Sequence, residues 1–244
     1  MRDHVRQNRS YWDGESAQYQ SDHSLDLTDR ALAWGVWRIP EDQIDALGPL
    51  DGRRVLELGC GGGQFSAALK SQGVAVVGLD ISGAQLAHAR SHAPLLPLVH
   101  ASAEDTPFAD ASFDVVFCDH GAMNFCDPDR TLPEVARLLR PGGRLAFATS
   151  SRLRYVCMTD DWELTTSLQR DWFGDPRLDD GSSVDFSLSP GDWISRFRTH
   201  GFAIRALYEL RPPSGASTTY PWFVEREWAE RWPAEELWVV DLTN

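Results

Sequence analysis

Val55-Leu56-Glu57-Leu58-Gly59-Cys60-Gly61-Gly62-Gly63-Gln64-Phe65 is an apolar run that breaks into glycines and then resumes at helical spacing. It reads as a buried strand, a tight turn and the start of a helix, the unit from which parallel α/β sheets are wound. Glycine lacks a β-carbon, so backbone at Gly59, Gly61 and Gly63 can take positive φ and approach a bound molecule closely. A small ligand is expected against that turn. In the dinucleotide fingerprint G-x-G-x-x-G the third glycine packs helix on strand beside a pyrophosphate. Counted from Gly59, that position is Gln64. Glu57 also places a carboxylate where phosphates would lie, which suits a cationic or hydroxylated ligand.

The turn cluster at 48–52 marks entry to a block in which strands and helices alternate. Periodicity and breakers predict strands over 54–58, 74–79, 98–100, 114–118 and 144–149, with helices over 64–71, 82–92 and 130–139. Ser82 reads as a helix cap, and Pro94 forbids continuation of that helix. A helix over 189–201, a strand over 203–210, a helix over 220–232 and a strand over 235–242 complete the chain. Alternation of this kind calls for right-handed crossovers, hence a Rossmann-like, doubly wound, mostly parallel seven-stranded α/β sheet whose last strand is antiparallel. Residues 1–50 read as a helical cap, with helices over 29–37 and 41–47; 51–150 as the ligand-binding core; 151–188 as an insertion; and 189–244 as the rest of the sheet, all within one domain. Connections as long as 151–188 tend to be lids or binding elements.

A chain of 244 residues is long enough to bury a sizeable core. A net charge of −13 argues against nucleic acid or an anionic membrane as partner, because both reward basic faces. Cys60, Cys118, Cys126 and Cys157 have neither paired C-x-x-C spacing nor the density of a disulfide scaffold, which fits a reducing compartment. With no apolar leader or membrane-length run in the sequence, the expected location is the cytoplasm.

In doubly wound sheets ligands bind beyond the carboxyl ends of the strands. Asp80 stands just past the second strand, where its two oxygens suit the paired hydroxyls of a ribose. The pattern E-x-G-x-G-x-G at 57–63 resembles the first motif of the class I S-adenosylmethionine (SAM) methyltransferases. Ala101-Ser102-Ala103-Glu104-Asp105-Thr106-Pro107-Phe108, followed by Ser112-Phe113-Asp114-Val115-Val116, resembles a signature of their ubiquinone-biosynthesis-like, small-molecule branch. Leu139-Arg140-Pro141-Gly142-Gly143 resembles the family's turn into strand five, and Tyr11-Trp12-Asp13 with Tyr19 resembles a lid that the family folds over the cofactor.

The resemblance implies the class I methyltransferase fold and SAM as cofactor, leaving S-adenosylhomocysteine (SAH) as product. It implies cofactor contacts at Tyr19, Glu57, Gly59, Gly61, Gly63, Asp80 and Ile81, at Ser102, Ala103 and Glu104 around the adenine, and at Asp119 along the methionine arm. The family usually has an aspartate where this chain has Ser102, whose hydroxyl accepts a hydrogen bond without charge assistance.

SAM carries its own electrophile, so the protein's task is to align a nucleophile with the S–CH₃ bond and exclude water. A base is needed only where the acceptor must lose a proton. The resemblance places His120 beside the reacting methyl and makes it the candidate, with His4 and His23 in the cap as weaker ones. Asp119 and Asn124 lack a further carboxylate at convincing spacing, so no metal is expected. All ten tryptophans lie outside 51–150. Most are expected to pack the cap and insertion, and two or three to line a pocket for an apolar or aromatic small molecule. The leading expectation is in-line methyl transfer to oxygen or nitrogen, less so carbon, of a small metabolite. The alternatives are a SAM-fold enzyme that uses the cofactor without methyl transfer, and a non-catalytic SAM-binding protein. The sequence does not give the oligomeric state.

Overall fold

The structure, a computed structural model, describes residues 2–24 and 32–243. In chain order the elements are α1 (Asp3–Asp22), β1 (Ala33–Trp34), β2 (Ile39–Pro40), α2 (Glu41–Ile44), β3 (Arg54–Leu58), α3 (Gln64–Ser71), β4 (Ala75–Asp80), α4 (Gly83–His92), β5 (Leu98–His100), β6 (Phe113–Asp119), α5 (Ala122–Phe125), α6 (Pro128–Leu138), β7 (Leu139–Ser150), α7 (Arg152–Val156), β8 (Arg177–Asp179), β9 (Val184–Phe186), α8 (Pro190–Thr199), β10 (Phe202–Leu210), α9 (Arg226–Ala229) and β11 (Glu235–Leu242). Seven strands form one sheet in the order β10-β11-β7-β6-β3-β4-β5. The β3–β4, β3–β6, β4–β5 and β6–β7 pairs are parallel, and β11 runs antiparallel to both β7 and β10.

Side-chain alternation divides the core between the two faces of this sheet, because successive residues of a strand point to opposite sides. Leu56, Leu58, Val116, Cys118 and Phe147 pack with Leu132 and Val135 of α6 and Trp193 and Phe197 of α8. Val55, Val115, Phe117 and Ala146 pack on the other side with Phe65 and Leu69 of α3. The strand order reverses between β3 and β6, and the carboxyl ends of these two strands open the crevice where ligands of doubly wound sheets sit.

The expectation of a helix over 29–37 is corrected for its described part, since Ala33–Trp34 and Ile39–Pro40 pair as an antiparallel hairpin; residues 29–31 lie outside the described residues. The cause is tertiary. The Asp119 carboxylate accepts the Gly35 amide at 3.0 Å and Glu235 accepts the Val36 amide at 2.8 Å, taking donors that a helix would have used internally. The helix expected over 41–47 stops at Ile44, where Asp45 turns left-handed (φ +55°) and the Glu41 carboxylate collects the Leu47 amide at 2.7 Å. Of 220–232 only Arg226–Ala229 is helical. The Arg226 guanidinium there bonds the Pro213 and Ala216 carbonyls and secures the loop instead.

The insertion is organised by one buried arginine. Arg152 is 2% exposed, and its guanidinium donates to the carbonyls of Asp171, Trp172, Gly174, Asp175 and Ser187 at 3.0–3.5 Å. Arg152→Met is expected to destabilise the fold by about 3 kcal/mol or more, because buried carbonyls would lose charge-assisted donors. Thermal unfolding tests this, and Arg152→Lys should fail to rescue, since a single ammonium cannot span that fork of acceptors.

Candidate active site

A cavity of about 500 Å³ lies over the carboxyl ends of β3, β4 and β6. Its floor is the glycine turn. Gly59, Gly61 and Gly63 all take positive φ, at +72°, +51° and +75°. Gly59 is pressed against the turn after β6, where an added Cβ would stand 2.3 Å from the Ala122 nitrogen. A Cβ on Gly63 would meet Ala89 and Leu96 at 3.1 Å, so this glycine serves the packing of α3 against α4. At Gly61 the nearest atom would be 3.8 Å away, which leaves that segment of backbone open.

Three carboxylates surround the turn, Glu57 and Asp80 buried and Asp119 half-buried. Asp80 binds the Gly61 amide through Oδ2 and the Ser82 amide through Oδ1, each at 2.7 Å, locking loop to strand end. Burial raises its pKa. Asp119 is pushed up to about 6, chiefly by burial, which the charge of His120 and the Gly35 amide oppose. Glu57 accepts both the amide and the hydroxyl of Ser66 at the start of α3, and burial drives its carboxyl up to about 8. The folded state therefore favours protonated Glu57, whereas the unfolded chain releases that proton near the ordinary value of 4.5. The sign follows from linkage: this residue's stabilising contribution is whole below about 4.5, falls as pH rises, and is gone above about 8. Glu57→Gln, which keeps the acceptor for Ser66, should flatten the decline in melting temperature between pH 5 and 8, roughly the interval bounded by the two values.

Helix α1 roofs the cavity. Asp13 accepts the Ser82 hydroxyl at 2.7 Å and the Ala84 amide at 3.2 Å; Gln20 reaches Gln85 at 2.9 Å and Gln64 at 3.0 Å. Asn8 bonds the Phe125 carbonyl and both backbone groups of Val184. Tyr19 lines the cavity, its hydroxyl 2.9 Å from that of Tyr220.

The candidate residues from the sequence do not all converge. Tyr19, Glu57, Gly59, Gly61, Asp80, Ile81, Ala103, Asp119 and His120 line the cavity, whereas Gly63, Ser102 and Glu104 are not among its walls. The Ser102 hydroxyl accepts the Glu104 amide at 3.2 Å. Glu104 pairs with Arg2 and with His4 (2.6 Å) and accepts the Asp127 amide at 2.9 Å, mooring the start of α1. His23 stacks on Tyr220 with ring centres 3.8 Å apart. Of the tryptophans, Trp12, Trp162 and Trp222 reach the cavity, while Trp34, Trp193 and Trp238 are fully buried in the core.

His120 follows β6 in the left-handed region (φ +49°), a costly conformation for a residue with a side chain. Its Nε2 lies 2.6 Å from Glu235 Oε1, and its Nδ1 lies 3.3 Å from the Asn124 amide nitrogen. Burial would lower its pKa, but the hydrogen bond and charge of Glu235, with the charge of Asp119, outweigh burial and raise it. Sequence reasoning weighed Asn124 only as a metal ligand and Arg154 only as part of the insertion, and it missed Glu235 and Asp185. For Glu235 a signal existed: two glutamates precede the apolar run Leu237–Val240, and charges in such a place are buried only with partners.

A methyltransferase-domain family model matches residues 56–147. A demethylmenaquinone methyltransferase of Beutenbergia cavernae is 41% identical over 129 residues, 52% of this chain and 53% of that protein. A ubiquinone biosynthesis O-methyltransferase of Paracidovorax citrulli is 40% identical over 118 residues, covering 45% and 48%. The chain thus spans about half the length of the curated relatives it matches. Among solved structures, an S-adenosylmethionine-dependent methyltransferase of Mesorhizobium loti superposes with a TM-score of 0.68 over 82% of this chain and 96% of its own, at 24% identity. That likeness establishes the architecture, and the segment matched by the family model holds the end of β3, the glycine turn, Asp80 and His120. Residues 56–147 of the chain are thus similar to a methyltransferase domain, and the fold is the one seen in an S-adenosylmethionine-dependent methyltransferase.

Proposed function

We propose that the chain binds SAM in this cavity and transfers its methyl group to an oxygen or nitrogen of a small apolar or aromatic molecule. One observation carries the reading: the glycine turn, Asp80 and Asp119 line the same cavity as His120 and three tryptophans. Carboxylates disfavoured by desolvation fit a cationic cofactor, whose positive charge would offset that cost. Asp80 would take the ribose hydroxyls, Ile81 and Ala103 would flank the adenine, and Asp119 would face the methionine arm. The bound cofactor supplies an activated methyl group. Ser102, Gly63 and Glu104 act at one remove, by shaping the loops and fastening α1. The substrate is a small molecule, and within the described residues no helix is long and apolar enough to cross a membrane.

The protein's own part in the chemistry is proton handling. With Nε2–H donated to Glu235, the basic lone pair is that of Nδ1; it accepts the Asn124 amide N–H at 3.3 Å, a long bond that an incoming proton would displace. Glu235 and Asp119 stabilise the imidazolium that forms when an acceptor gives up its proton. His120→Ala is expected to lower kcat about 100-fold or more on an acceptor that must be deprotonated, with KM for SAM little changed. The wild-type rate should rise with pH through an inflection above the ordinary histidine value of 6.5, because His120 must be neutral to act. The test is a screen of acceptors by mass gain of one methyl, with SAH formation followed in parallel. A protein that binds SAM yet methylates nothing would leave the cofactor assignment standing and overturn the transfer reading.

A further inference from the structure

Two arginines stand two residues apart at the start of the insertion, and their surroundings differ. Arg152 spends its guanidinium on five backbone carbonyls. Arg154, 9% exposed, spends only its Nε, on the Phe223 carbonyl at 2.8 Å. Among the described residues neither of its terminal nitrogens has a hydrogen-bond partner, and no carboxylate oxygen lies within 4.0 Å. These nitrogens are not sealed in protein either, since among the described residues the side-chain atoms that are both enclosed and unpartnered are those of Ser16, Trp37, Ser187 and Glu235. Arg154 instead lines the cavity. A cation withdrawn from water with donors to spare is costly unless an anion completes it.

The neighbouring acids do not complete it. Glu235 Oε1 is taken by His120 and the Val36 amide. Asp185 also lines the cavity and bears on Arg154 through charge, yet makes no ion pair with it. Burial, helped by the charge of Asp180, pushes Asp185 up to about 7, so a good part of it is neutral near physiological pH. Burial also lowers Arg154 to about 10, which still leaves it cationic. The guanidinium carbon sits 3.9 Å over the Phe223 ring, and the His120 ring meets that same phenyl edge-on at 5.5 Å. The cation and the proposed base thus share a single aromatic neighbour.

We infer that Arg154 anchors a carboxylate on the methyl acceptor, so that the substrate class is small aromatic or apolar carboxylic acids. This rests on the methyltransferase reading and narrows it. The planar fork of the guanidinium matches a carboxylate with two parallel hydrogen bonds, which a neutral amide cannot reproduce. The acidic surroundings of the proposed cofactor and the cationic end of the acceptor site then divide the cavity by charge. An acid entering carboxylate-first would lie with its ring along Phe223 and its other end towards His120.

The experiment uses the full chain saturated with SAH and three matched probe pairs followed by titration calorimetry: salicylate with salicylamide, hydrocinnamate with hydrocinnamamide, octanoate with octanamide. At least one acid should bind about tenfold or more tightly than its amide. Arg154→Met should abolish that preference while its SAH affinity stays within about twofold of wild type, and Arg154→Lys should keep part of it. If no acid outbinds its amide, or if Arg154→Met keeps the preference, the inference is overturned whatever the cofactor does. The wild-type comparison decides alone should the variant fail to fold. Absence of SAH binding would bring down the methyltransferase reading itself, and this one with it.

Discussion

Replacing Gly59 by alanine is expected to cost about 3–5 kcal/mol of stability, lowering the melting temperature by roughly 10 °C. Two terms add. The first is backbone conformation, since φ at Gly59 is +72° and a side chain there is strained by about 1–2 kcal/mol. The second is collision: the added carbon would lie 2.3 Å from the Ala122 nitrogen and 2.9 Å from two Gly121 carbons, all rigid backbone. Gly52 separates the two terms. It has φ +69°, and a methyl carbon added there would have nothing within 4 Å, so Gly52→Ala should show the conformational cost alone. Gly121→Ala should show the collision without the positive-φ cost, because its φ is −97° and its added carbon would strike the Gly59 carbonyl oxygen at 2.4 Å. Denaturant unfolding of the three variants measures this; equal losses at Gly52 and Gly59 would remove the collision from the account.

Asp80→Ala is expected to weaken SAM and SAH binding about 100-fold or more. Each Asp80 oxygen already accepts one backbone amide, at Gly61 and at Ser82, and retains a lone pair for a hydroxyl. Hydrogen bonds to a charged group are each worth about 1.5–3 kcal/mol, so losing two ligand bonds accounts for a hundredfold before the turn itself loosens. Asp80→Asn should be nearly as damaging, because one amide end would face a backbone N–H donor with another donor. Titration calorimetry against both nucleosides is the measurement. An unchanged dissociation constant for Asp80→Ala would remove the ribose assignment.

The core of the fold was legible because its signals are local. The alternation of Val55, Leu56 and Leu58 settles which side of the sheet each joins, and Gly63 followed by an apolar face starts α3 where the spacing predicts. At Ala33–Pro40 the aromatic and aliphatic spacing also satisfies a helix, and nothing nearby contradicts it. The decision is made by two carboxylates 84 and 199 residues further on, which claim the backbone amides. Tyr220–Phe223 misleads in a similar way, its rings being drawn towards the cavity and not along a helix face. The site divides along the same line. Asp80 and the glycines are readable as a contiguous motif, whereas the His120–Glu235 contact closes a separation of 115 residues. Arg154 and Arg152 look interchangeable in sequence, and only the distribution of carbonyls distinguishes them.

The row of contacts along α1 also bears on time. From Arg2 to Gln20 this helix is tied in turn to Glu104, to Val184 and Phe125, to Ser82, and to Gln85 and Gln64, all in separate parts of the chain. No one tie is strong, but a stiff rod fastened at successive points does not peel from one end without disturbing the next fastening. A molecule held beneath it is expected to leave only when several weak bonds lapse together, which makes the number of fastenings along α1 a determinant of residence time.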